Sequence, residues 1–190
     1  MQPRETQGDF TKDPFNLVTV PAVSRKLHVK LLENMKKAEA ISETSEYNLL
    51  SGQGSWGIIC NGVSYNYVND AVNDLGIAEK VATLRIGFSH PMPEKLVKKF
   101  IADKEKILVV EEGEPYLEEA TKAFAQEAQI TIPIQGKGEN LFSRLYEFNP
   151  SQVREIVAHY FGIDYEASQI PDLSDVPEIP QRPPNLCAGC

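Results

Sequence analysis

Between Trp56 and Phe161 the chain alternates short apolar runs with amphipathic stretches of about ten residues, and this alternation constrains the fold more than any other feature. "WGIIC", "VATLRIG", "KILVVEEG" and "QITIPIQ" read as strands. "SYNYVNDAVNDLG", "PEKLVKKFIAD", "PYLEEATKAFAQEA" and "NPSQVREIVAHYFG" read as helices. In the first of these Ser64 is placed to cap, Val68, Ala71, Val72 and Leu75 share a face, and Gly76 ends it. Pro93 and Pro115 stand at the openings of the next two, and Asn149 and Pro150 open the last, which Gly162 closes. Strands separated by helices need crossover connections, and crossovers produce a mainly parallel sheet. The run "KILVV" is apolar without alternation, as a strand buried on both faces must be. Pro133 cannot donate to a ladder, so "QITIPIQ" belongs at an edge. The expected fold class is α/β, a three-layer αβα arrangement around a mainly parallel sheet, spanning residues 50–162.

The flanks differ in character. Residues 1–49 read as an extended segment followed by a helix over 21–44, in which Leu27, Leu31, Met35 and Ala38 recur at helical spacing. This helix docks on the α/β domain or leads into it. His28 lies beside the stripe and reads as a surface or capping residue. Residues 163–190 form an acidic, proline-rich linker. They hold Pro171, Pro177, Pro180, Pro183 and Pro184, and from Asp164 to Glu178 there are five acids and no base. Such a segment has too little apolar surface to fold by itself.

Charge and cysteine usage narrow the function. With 27 acidic against 19 basic residues the chain carries a net charge of −8, which disfavours nucleic acid and anionic membrane surfaces. No apolar run approaches the roughly 20 residues that span a bilayer, and the polar N-terminus has no signal-peptide core, so a cytoplasmic protein is expected. Cys60, in "GIICNG", reads as a small buried hydrophobe. Cys187 and Cys190 form a terminal Cys-x-x-Cys, but a four-thiolate metal or iron–sulfur site is incomplete with two.

For other motifs the context decides. Gly52-x-Gly54-x-x-Gly57 has the spacing of a dinucleotide loop but precedes a strand instead of following one, so it reads as a lead-in. Trp56 is expected to pack at the start of that strand. There is no Walker loop and no Ser-His-Asp set at nucleophile-elbow spacing. In open α/β sheets ligands gather at the carboxyl ends of strands. Those ends are Asn61-Gly62, Ser89-His90 and Glu111-Glu112-Gly113-Glu114. His90 with Glu111 and Glu112 would make an acid–base cluster. The bland reading gives "SHPMP" as a turn, and Glu114 as a carboxylate favouring a helix N-terminus. His159, near a helix C-terminus, suits the dipole there and needs no further role. The residues leave two alternatives: a small-molecule-binding α/β domain using these strand ends, or an interaction domain without a ligand.

The segments "KDPFNLVTVPAVSRKLH", "GIICNGVSYNYVNDAV", "ILVVEEGEPYLEE", "IQGKGE" and "RPPNLCAGC" resemble, in order, the middle of the alpha subunits of indolepyruvate ferredoxin oxidoreductases, within the wider 2-oxoacid:ferredoxin oxidoreductase family. The resemblance implies a domain similar to the transketolase C-terminal domain, set between pyrimidine-binding and diphosphate-binding domains, with a ferredoxin-like module beyond. It implies thiamine diphosphate, Mg²⁺ and 4Fe-4S clusters in the complete enzyme, and none of them on this stretch. Cys187 and Cys190 are cluster or metal ligands only in a longer chain. The implied partners are the other domains of the subunit, a beta subunit, ferredoxin and coenzyme A. The implied reaction is oxidative decarboxylation of an aryl pyruvate, with catalytic residues lying elsewhere and a structural, interdomain role for this part.

Overall fold

Three of the apolar runs become the parallel core of one sheet. The computed structural model describes residues 8, 10–138, 140–166, 174, 175, 177 and 180. Cys187, Cys190 and most of the linker prolines fall outside them. The helices are α1 (Pro14–Leu17), α2 (Pro21–Glu43), α3 (Ser64–Asp74), α4 (Glu94–Ile101), α5 (Tyr116–Glu127) and α6 (Pro150–Phe161). The strands are β1 (Leu49–Ser51), β2 (Trp56–Asn61), β3 (Val81–Ile86), β4 (Lys106–Val110) and β5 (Ile134–Gln135). The sheet runs in the order β1-β3-β2-β4-β5, parallel except for β1. The three-layer α/β fold is as expected.

Alternation along each strand divides the core between the two faces. Ile58, Cys60, Leu108 and Val110 point to one layer, where Val68 and Ala71 of α3 and Val153, Val157 and Phe161 of α6 cover them. Ile59, Leu84, Ile86, Ile107 and Val109 point to the other, against Val97, Phe100 and Ile101 of α4 and Leu117 and Ala125 of α5. Trp56 stacks on Phe161 with ring centroids 4.9 Å apart, joining the start of β2 to the end of α6. Such a pair adds about 0.5–1.5 kcal/mol beyond the area it buries.

Several local expectations are corrected. Ser64 is the first helical residue of α3 and makes no capping bond, because Val63 occupies the cap position. At the other end Gly76 closes the helix in the left-handed region, with Gly76 N bonded to Asn73 O and Ile77 N to Val72 O. Asn149 does cap α6, accepting from Gln152 N at 2.9 Å. Pro93 and Pro115 each sit one residue before the helix they introduce. The strand expected across "QITIPIQ" shrinks to Ile134–Gln135, since laddering begins only after the proline. A turn of helix, α1, and an antiparallel edge strand, β1, form where irregular chain was expected.

The glycine-rich lead-in has a packing explanation. A Cβ on Gly54 would sit 1.9 Å from the Lys80 carbonyl group, so this loop lies backbone-to-backbone against the entry to β3. On the α2 stripe Leu27, Met35 and Ala38 are half-buried and Leu31 is 52% exposed, and of the helix's 23 residues only Ser42 is buried. The helix meets the α/β body at its C-terminal end. There Ser42 Oγ donates to Phe88 O at 3.2 Å, and Glu43 accepts from Lys95 N and Leu96 N at the first turn of α4.

Candidate functional site

The carboxyl ends of β2, β3 and β4 carry two neighbourhoods of polar side chains. The first is built on Glu111, just past β4, and Lys137, just past β5. Glu111 is buried, and its carboxylate accepts from Leu117 N at 2.7 Å and Glu118 N at 2.9 Å. It therefore closes the N-terminus of α5, the role expected of Glu114. Glu114 is instead exposed and pairs with Arg144 at 3.5 Å. The chain doubles back after Gly113, which brings the earlier carboxylate under the helix end.

Lys137 Nζ donates to Glu111 O and, at 3.1 Å, to Ser143 O, and lies 4.8 Å from the centre of the Phe148 ring. Its backbone N–H donates to the buried Glu118 carboxylate at 2.7 Å. Glu112 accepts from Phe148 N at 2.9 Å. Gly136 is required beside it, because a Cβ there would lie 2.7 Å from Val109 O and 2.8 Å from Glu118 Oε2. Burial pushes the Glu111 carboxyl above its ordinary range, against the pull of the two helix N–H groups and Lys137. Burial likewise pushes the Lys137 amine down, against the pull of Glu111, Glu118, Glu112 and Glu114. The result is a clasp holding the 136–148 loop on the end of β4.

The acid–base cluster expected from His90, Glu111 and Glu112 is not assembled. His90 Nδ1 lies 2.8 Å from the Tyr116 hydroxyl, while both carboxylates are engaged by backbone N–H groups. Lys137 had no assigned role in the sequence. The signal was "IQGKGE", where a lysine between two glycines follows a short edge strand.

The second neighbourhood is a crevice of about 400 Å³ between the ends of β2 and β3, lined by Asn61, Gly62, Arg85, Ile86, Gly87 and Ser89. Arg85 lies 5.1 Å from the centre of the Tyr65 ring, in the first turn of α3. Asn61-Gly62 and Ser89 thus do line a cavity, as their place after the strands suggested.

Cys60 is fully buried, and burial pushes its thiol up to about 12, so it is a core side chain. A 4Fe-4S cluster needs about four thiolates. Among the described residues Cys60 is the free cysteine, and no group of three or more His, Cys, Asp or Glu side chains could hold a metal. The described residues therefore do not fit a cluster. Cys187 and Cys190 lie outside them. Among the described residues no helix is long and apolar enough to cross a membrane.

Fold and crevice together define an open α/β domain whose strand carboxyl ends face a cavity on one side of β2 and a closed clasp on the other. No family model matches the chain. It is 36% identical over 188 residues to indolepyruvate oxidoreductase subunit IorA of Methanothermobacter thermautotrophicus, covering 97% of this chain and 29% of that relative. It is 36% identical to the subunit of the same name from Thermococcus kodakarensis, and 33% identical to that of Archaeoglobus fulgidus, again over 96% of this chain and 29% of each relative. The resemblance read from the ordered motifs is thus borne out: the chain is similar, along nearly its whole length, to one segment of subunits that carry this name. It spans about three-tenths of their length.

Proposed function

We propose that this chain is the structural, interdomain part of an oxidoreductase that decarboxylates an aryl pyruvate such as indolepyruvate, passing electrons to ferredoxin and the acyl group to coenzyme A. The observation that carries the reading is the similarity to IorA subunits, which is aligned over 97% of the chain. Thiamine diphosphate, Mg²⁺ and iron–sulfur clusters would supply the chemistry from other parts of the enzyme, while this domain positions those parts. Residues 50–162 form the α/β unit of the proposal, residues 1–49 the connection into it, and residues 163–190 the linker out of it.

The structural role is supported by the arm formed by α1 and α2. Phe15, Leu17, Val29, Leu31, Leu32 and Ile41 are each more than half exposed. An amphipathic helix draws most of its stability from burying its apolar face, so this one is built for a partner. The partner we assign is another domain of the same subunit. The test is a ferredoxin-reduction assay with indolepyruvate and coenzyme A, on the assembled enzyme carrying this segment and on the 190-residue chain by itself. Turnover is expected from the assembly and none from the chain. Turnover by the chain, or an assembly that leaves indolepyruvate untouched, would refute the proposal.

A further inference from the structure

The crevice between β2 and β3 holds a cation without a matching anion. Arg85 stands near the end of β3, paired across the sheet with Cys60 and with Leu49 of β1. Its side chain is drawn to the α3 face, where it packs on the Tyr65 ring. A guanidinium carries five N–H donors in a planar fork. Among the described residues Arg85 forms no ion pair, and its hydrogen bond runs from Nη2 to Tyr47 O at 3.3 Å. Among the described residues its buried Nε has no hydrogen-bond partner. This occurs in a chain with 27 acidic side chains, and among the described residues none of them lines the crevice.

The surroundings make the imbalance larger. The guanidinium sits beside the first turn of α3, an 11-residue helix that no side chain caps. A helix N-terminus carries partial positive charge and favours a negative group near it. Asn61 and Ser89 line the same cavity and offer neutral hydrogen-bond donors.

We infer that the crevice lined by Arg85, Asn61 and Ser89 binds a small oxyanion, the phosphoryl or carboxylate group of a small molecule. The planar fork suits both groups, since each presents two oxygens to it. The volume of about 400 Å³ holds a group of that size with part of the molecule that bears it. This inference stands apart from the interdomain role proposed above: the assay for turnover and the experiment below can fail independently.

The experiment is a titration of the isotope-labelled 190-residue chain with inorganic phosphate and, separately, with acetate, at constant ionic strength, followed by backbone amide shifts. Saturable shifts are expected at residues 61–66 and 85–89. The anion that saturates at lower concentration identifies the ligand as phosphoryl or carboxylate. Arg85→Gln should weaken binding about tenfold to a hundredfold, the scale of losing charge-assisted hydrogen bonds. Should Arg85→Gln fail to fold, Ser89→Asp places a carboxylate in the loop, leaves Arg85 in position, and is expected to abolish the shifts. Lys30→Gln, on the exposed arm, should change nothing. Shifts that survive Ser89→Asp, shifts spread over the whole surface, or no saturation with either anion would each overturn the inference, the last two as an adventitious ion only.

Discussion

Replacing Glu111 with alanine should be the most damaging change to a charged side chain in this molecule. The carboxylate is buried and holds two backbone N–H groups at the start of α5, at 2.7 and 2.9 Å. Removing it leaves both donors without a partner, and an unsatisfied buried donor costs about 1–3 kcal/mol. Part of the loss is returned, because burial disfavours the ionised carboxylate and its removal relieves that cost. A net destabilisation of about 2–4 kcal/mol follows. For a chain of this size each kcal/mol lowers Tm by about 2–4 °C, so Glu111→Ala should melt roughly 4–16 °C below the parent. Thermal unfolding followed by circular dichroism measures this directly. Glu112→Ala, which gives up a single bond to Phe148 N, is the matched control and should cost about 1 kcal/mol. A Glu111→Ala melt within about 2 °C of the parent, or a larger loss from Glu112→Ala, would refute the clasp.

Three further outcomes follow from the same geometry. The folded-state pKa of Glu111 lies above the unfolded value of 4.5, so its contribution is fully present below 4.5 and is lost as pH rises through the folded value. Glutamine has no such limb, so urea unfolding should show the deficit of Glu111→Gln widest in acid and narrowing toward neutral pH. Cys60, buried and with its thiol pushed up to about 12, should resist iodoacetamide at mildly alkaline pH in the folded chain and react on unfolding; fast native labelling would contradict its place in the core. Gly136→Ala should cost about 1–3 kcal/mol in chemical denaturation, since its Cβ would press on the Val109 carbonyl oxygen and the Glu118 carboxylate; an unchanged midpoint would remove the tight approach from the account.

The strands and helices of the α/β body were legible because each carries a periodic signal over most of its length. Val68 and Ala71 in α3, or Val97 and Ile101 in α4, repeat at helical spacing and do face the core. The unalternating "KILVV" does lie inside the sheet, between β2 and β5. What escaped were features whose cause is tertiary. β1 is three exposed residues that become a strand only by pairing with β3, and nothing in "LLS" announces it. The choice of Glu111 over Glu114 as the partner of α5 depends on how the chain turns at Gly113. The α2 stripe was correctly periodic, but periodicity marks a face to be buried without saying where its partner is. Lys137 was legible only as a lysine between two glycines; its role was not, because its partners are carbonyl groups, which leave no trace in a residue pattern.

Hydrogen–deuterium exchange, read by mass spectrometry on the 190-residue chain and on a complete subunit containing it, tests the central claim that the sheet is self-sufficient while the arm is made for a neighbour. Amides of β2, β3 and β4 should be strongly protected in both samples, and those of α2 from residue 21 to residue 38 should exchange freely in the chain and slowly in the subunit. Equal protection of α2 in the two samples, or a sheet that becomes protected only in the subunit, would contradict it.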